Sequence, residues 1–297
     1  MSFPTEPGVD PGADPPPLQF NGRPAALGGA SAPELGVGQA FLLGAMHGPA
    51  ELLPISSSGH VAVMPWLLRW DYADADPELR KAFEVVLHAG TATALLITLR
   101  PEVEETLRDI SPRLVVNIGL SSAPAALIGF VLERPIERHL GTPATIAVGL
   151  IVGSLAMAWA DRSTQERDSL EAGAIDALLL GVAQACALMP GVSRNGSTLV
   201  AARLRRFNRR DANKLSRHVA LPVIGGATFL KTARLMRRGL PPRSGVPFAV
   251  GAAASFASTL GFTWLIRQVE RDRSLAPYAA YRLALAALIL RRLRSGD

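Results

Sequence analysis

Long apolar blocks carrying little or no charge constrain this chain more than any other feature: residues 114–132, 144–160, 172–189, 246–266 and 283–290 have too little polar surface for a water-soluble domain. Composition agrees. Of 297 residues, 48% are hydrophobic and only 19% charged, which excludes an ordinary soluble enzyme of this size and predicts a polytopic membrane protein.

The 31 Lys and Arg outnumber the 25 Asp and Glu, and the basic residues cluster between apolar blocks, where anionic lipid headgroups or substrates would meet them. Membrane lipids are thus expected partners and nucleic acid is not, because no aromatic stacking platform accompanies the charge. The one cysteine, Cys186, lies inside an apolar block and reads as a packing residue. Residues 1–33 hold eight prolines and form a disordered tail by composition, with no signal-peptide pattern. Residues 34–297 are then the membrane-embedded domain.

Two apolar stretches are interrupted. Residues 36–46 and 61–68 flank one polar knot, and 172–189 and 199–204 flank another. The pieces around the first knot fall short of the roughly 20 residues that cross a bilayer, so each interrupted stretch predicts a re-entrant helical hairpin with a protected tip. The knots overlay if one residue is inserted after proline, pairing Pro54 with Pro190 and Ser56 with Ser193. Each knot is followed by a charged stretch and a glycine-containing apolar span. The expected fold is all-α: a membrane helical bundle of two internal repeats, each with a re-entrant hairpin, and about six full transmembrane helices. Basic residues sit in nearly every loop and leave the orientation open.

The first knot reads Glu51-Leu-Leu-Pro-Ile-Ser-Ser-Ser-Gly-His60. A carboxylate, hydroxyls and an imidazole at membrane depth cost several kcal/mol unless paired or hydrated, which marks them as functional rather than incidental. The second, Pro190-Gly-Val-Ser-Arg-Asn-Gly-Ser-Thr198, sets a guanidinium and exposed amides at the start of a helical block, an arrangement suited to phosphate. An ordinary helix cap would account for Ser197 or Thr198 but not for Arg194 among apolar spans. Brought together, the knots supply a cationic clamp, a nucleophile or activated water, and a proton carrier.

These two motifs, with Phe83-Glu-Val-Val86 between them, resemble the undecaprenyl-diphosphatase family of bacterial membrane enzymes, also called bacitracin-resistance proteins. The resemblance runs from about Gly36 to the C-terminus. It implies hydrolysis of undecaprenyl diphosphate to undecaprenyl phosphate and inorganic phosphate, which recycles the lipid carrier of peptidoglycan synthesis in the bacterial plasma (inner) membrane. With it come cell-wall biogenesis, cell shape and bacitracin resistance. It also implies a divalent metal, Mg²⁺ or Ca²⁺, and an isoprenyl diphosphate lipid as substrate; self-association is left open. Carried over by motif position, Arg194 and Ser193 hold the diphosphate together with Ser58, and Asn195, Ser197 and Thr198 of the second knot are further candidates for binding it. Glu51 binds metal or acts as base, and His60 or Ser57 is the nucleophile or proton carrier.

The chain departs from the family pattern at two positions. His47 stands where a second glutamate is usual, and Asn195 where a serine is. At i and i+4 on a helix His47 would still sit beside Glu51, able to ligate a transition metal, shuttle a proton, or merely hydrogen-bond within the hairpin. It would also remove a negative charge from a Mg²⁺ or Ca²⁺ site. Glu84 and His88, likewise i and i+4, would orient the site or pair with each other. The basic run from Arg203 to Arg217 reads as a headgroup-contacting face, and Trp66 with Trp70 as an interfacial anchor. Type 2 phosphatidic-acid phosphatases share a Ser-Gly-His stretch, but their second motif needs His and Asp six and ten residues after Ser; Leu199 and Arg203 follow Ser193 at those distances. The remaining rival is a transporter or flippase for a lipid phosphate or other anion, built from the same repeated halves.

Overall fold

The computed structural model describes residues 34–108, 110–264 and 273–295, and these form eleven α-helices with no strand. The tail expected over 1–33 lies outside the described residues, as does the end of the block 246–266. The helices are α1 (Val37–Leu52), α2 (Ser57–Leu67), α3 (Pro77–Thr98), α4 (Arg100–Arg108), α5 (Pro112–Leu140) and α6 (Pro143–Ala160), then α7 (Ala174–Cys186), α8 (Arg194–Leu204), α9 (Arg209–Arg238), α10 (Gly245–Gly261) and α11 (Ala276–Ser295). Local chemistry sets their starts. Asp76, Ser111 and Thr142 each precede a proline in the first helical turn and accept a hydrogen bond from an amide of that turn.

Among the described residues, three helices are long and apolar enough to cross a membrane: α5 over Pro112–Leu132, α6 over its whole length, and α9. That supports a multi-pass membrane protein while meeting only half of the six crossings expected. α3 and α11 have the length, 22 and 20 residues, but carry charges such as Glu84 and Arg282; α7 and α10 are apolar but span 13 and 17 residues. The outer surface is that of a hydrocarbon-facing molecule, with Phe130 83%, Phe229 78% and Trp159 66% exposed.

Small residues let α10 nest between α1 and α3. A methyl added at Gly44 would lie 2.4 Å from the Gly251 carbonyl oxygen, and one at Gly48 2.4 Å from Ser258 Oγ. α11 packs on α6, and α5 on α7. The resulting apolar clusters, around Phe83 and Phe248, Ile146 and Ile289, and Leu180 and Leu199, enclose the two polar knots.

Three local expectations are corrected. Trp66 is no surface anchor: it is buried against α6 and α11, with the Arg292 guanidinium 4.8 Å over its ring. Cys186 is exposed, because α7 buries the face of Ala177, Leu180 and Gln184 and leaves Leu178, Val182 and Cys186 on the other. Much of the basic run is consumed internally. Arg203 is buried and donates to the carbonyls of Phe207 and Ser163, while Arg205, Arg206 and Arg209 pair with Asp176, Glu166 and Asp161.

Candidate active site

Each knot becomes a bend between two helices. The first lies between α1 and α2, the second between α7 and α8, and serines cap both following helices. Ser56 Oγ accepts from the Gly59 amide at 3.3 Å and Ser193 Oγ from the Gly196 amide at 3.2 Å. These are the positions that the sequence overlay pairs. The extra residue of the second bend is Gly191, at φ +87°, where a side chain would run into the Ile146 carbonyl oxygen, 2.3 Å from an added methyl.

The bends meet. Arg194, the first residue of α8, donates through Nη2 to Glu51 Oε1 at 2.7 Å, and Ser57 Oγ donates to the other oxygen of the same carboxylate. Asn195 adds a second cross-link, with Nδ2 donating to the Leu52 carbonyl at 2.9 Å and Oδ1 accepting from Ser216 Oγ at 2.9 Å. Glu51, Arg194, Asn195, Asn213, Ser216 and Arg217 line the polar end of a groove. Its other wall is apolar, formed by Leu95 and Leu99 of α3 with Ala220, Leu221 and Ile224 of α9.

The remaining expected residues divide. Ser193 is spent on its cap; the hydroxyls of Ser197 and Thr198 bond back to carbonyls of α8, that of Thr198 also to Ser216. Ser58 is partly exposed on the first turn of α2. His60 Nδ1 donates to the Ser56 carbonyl at 2.7 Å, which leaves Nε2 to accept from Tyr281 Oη at 2.7 Å. Its bonds thus go to α2 and α11 rather than to Glu51 or Arg194. Glu84 takes a salt bridge from Lys81 at 3.0 Å and lies 3.8 Å from His88. His47 is bonded to Thr91 of α3, outside its own bend. A divalent ion has one candidate set of donors among the described residues, His47, Glu51 and His88. His47 Nε2, buried and without a hydrogen-bond partner, suits that set to a cation.

The family model of bacitracin resistance protein BacA matches residues 40–288, a stretch that contains both bends and the groove. The chain belongs to the BacA family. Among its curated relatives, the undecaprenyl-diphosphatase of Geobacter sulfurreducens is 38% identical over 265 residues, covering 84% of this chain and 96% of its own. That of Geotalea daltonii is 36% identical over 85% of this chain and 96% of its own. The undecaprenyl-diphosphatase of Thermomicrobium roseum is 37% identical over 86% and 98%.

One residue of this BacA chain escaped the sequence reading although it joins the two bends. Arg282 is 1% exposed and donates to the carbonyls of Pro54 (3.1 Å), Gly191 (3.1 Å) and Gly149 (3.3 Å). Non-helical backbone inside a membrane bundle needs such donors, and a single guanidinium provides them for both bends and for α6. Its signal was a lone arginine at the start of the apolar block 283–290. Tyr281, beside it, left no comparable signal.

Proposed function

We propose that this chain is an undecaprenyl-diphosphatase, hydrolysing undecaprenyl diphosphate to undecaprenyl phosphate and inorganic phosphate in the bacterial plasma membrane. The observation that carries this reading is the junction of Arg194, Glu51 and Ser57 at the polar end of a groove whose other wall is apolar. A diphosphate fits the polar end and an isoprenyl chain the wall of Leu95, Leu99 and Ile224. The two bends act as re-entrant hairpins of two repeats, supported by their matching serine caps.

Arg194 holds the diphosphate through its planar fork. As phosphate oxygens take the guanidinium, Glu51 is released to accept the Ser57 proton, the pairing of base and nucleophile that activates a hydroxyl. Ser57 Oγ then bonds to the terminal phosphorus while the bond to the bridging oxygen breaks, and undecaprenyl phosphate departs. Water completes the cycle by displacing phosphate from Ser57. Glu51 passes the proton taken from Ser57 to the departing oxygen, and His60, bonded to the Ser56 carbonyl and to Tyr281, holds the turn of α2 that carries Ser57. A divalent cation held by His47, Glu51 and His88 would neutralise charge on the phosphate oxygens.

The transporter reading is not favoured: it leaves the hydroxyl held on Glu51 without a task. Purified protein in detergent, given a long-chain isoprenyl diphosphate, releases phosphate if it is the enzyme, and Arg194→Ala slows that release by roughly 10²–10³-fold. A protein that binds the lipid and releases none overturns the proposal.

A further inference from the structure

His47 and Glu51 lie one turn apart on α1, and His88 faces them from α3, with a donor atom from each within 4.8 Å of the others. His47 is fully buried, and its orientation follows from a chain of hydroxyls. Ser255 Oγ of α10 donates to the Leu87 carbonyl at 2.7 Å, so it can only accept from Thr91 Oγ1, also 2.7 Å away. Thr259 gives its own proton to the Ser255 carbonyl at 2.7 Å and does not change this order. With its proton spent, Thr91 Oγ1 accepts from His47 Nδ1 at 2.8 Å. His47 therefore carries its proton on Nδ1 and directs a bare lone pair on Nε2 into a buried space where that nitrogen has no partner. The His88 ring stands edge-on to it, centroids 4.6 Å apart, with the Glu84 carboxylate 3.8 Å from His88 Nε2.

Two imidazoles and one carboxylate are the wrong donors for a hard cation. Mg²⁺ and Ca²⁺ take oxygen ligands and gain little from nitrogen, whereas Zn²⁺ and its neighbours bind this mixed set and keep a further position open. We propose that His47, Glu51 and His88 form a site for a borderline divalent transition cation, of which Zn²⁺ and Co²⁺ are examples, in preference to Mg²⁺ or Ca²⁺. The cation's use rests on the phosphatase reading; its binding does not. Thr91, Ser255 and the Leu87 carbonyl are positioning groups that hold the imidazole tautomer.

The test uses the full chain, purified in detergent through a tag without histidines and stripped with a chelator. Titration with Co²⁺ alone should give visible ligand-field bands at one equivalent, removed by Zn²⁺ and retained in a large excess of Mg²⁺ or Ca²⁺. His88→Gln should weaken Co²⁺ binding by more than tenfold. Thr91→Val, which keeps shape and loses the acceptor for Nδ1, should weaken it by about tenfold, the usual effect of losing such a partner. Absence of the bands, ready displacement by Mg²⁺, or unchanged binding in a folded His88→Gln variant overturns the proposal. Phosphate release is measured separately with each cation. Co²⁺ binding without phosphate release overturns the phosphatase reading alone, and phosphate release with Mg²⁺ but no Co²⁺ binding overturns the metal proposal alone.

Discussion

Arginines serve two regions of this molecule in opposite ways. On the loop side, Arg167 and Arg205 converge on Asp176, and Arg209 meets Asp161, which also accepts from Ser274. Asp176 itself is buried, at 4% side-chain exposure, but its arginines reach it from the rim, 21% and 41% exposed, and share the load between them. In the buried centre, Arg282 donates to three backbone carbonyls and Arg194 to one carboxylate that also binds Ser57. The outer arginines are dense in sequence and mutually replaceable; the inner ones are isolated in sequence and have no substitute. A run of basic residues therefore marked a stabilising seam, and single arginines in apolar surroundings marked the places where two bends are joined.

Replacing the inner arginines should break this contrast first. Arg282→Met strands the buried carbonyls of Pro54 and Gly191, at about 1–3 kcal/mol each, and should lower thermal stability in detergent sharply as well as abolish phosphate release. Arg194→Ala should reduce turnover by roughly 10²–10³-fold and also lower the unfolding temperature, because it leaves the largely buried Glu51 carboxylate without its cation, and Arg194→Lys should remain strongly impaired because a point charge cannot replace a fork. Near-normal turnover in the lysine variant would make Arg194 a headgroup contact only. Asn195→Ala, cutting the bridge from Leu52 to Ser216, should cost about 1–2 kcal/mol in denaturation and a smaller factor in rate.

The outer seam should respond least. Arg205→Gln should change stability by less than about 1 kcal/mol, because its side chain is 41% exposed and Arg167 still holds Asp176. Burial pushes the Asp161 carboxyl up, but hydrogen bonds from Arg209 and Ser274 outweigh that and hold it below the usual carboxylate range. Its contribution is thus complete above that range and lost as pH falls through the lowered value. Unfolding followed across acidic pH should show a shallow fall that is smaller in Asp161→Asn.

The helical class, the two bends and their overlay were legible because glycine, proline and serine act locally: Ser56 and Ser193 cap the next helix whatever surrounds them. So was the meeting of acid and guanidinium, since a charge in an apolar stretch needs a partner. Tertiary direction was not legible. Trp66 and Cys186 exchanged places between surface and interior because helix rotation about its own axis decides which face packs. The Thr91 and Ser255 hydroxyls joined to His47 belong to helices distant in sequence, and common residue types carry no mark of such a junction. Among the described residues, α3 and α11 fall outside the apolar spans because they carry charges that serve the interior, such as Glu84 and Arg282, and not because they are short.

One guanidinium fastened to both bends and to α6 has a mechanical consequence. The bends cannot spread apart to admit a lipid without tearing those three carbonyls away, so an opening for one falls instead to the contact of α3 with α9, where Leu95 and Leu99 pack against Leu221 and Ile224. A long-chain molecule would slide in sideways between α3 and α9 and leave by the same slit, its tail never quitting the hydrocarbon.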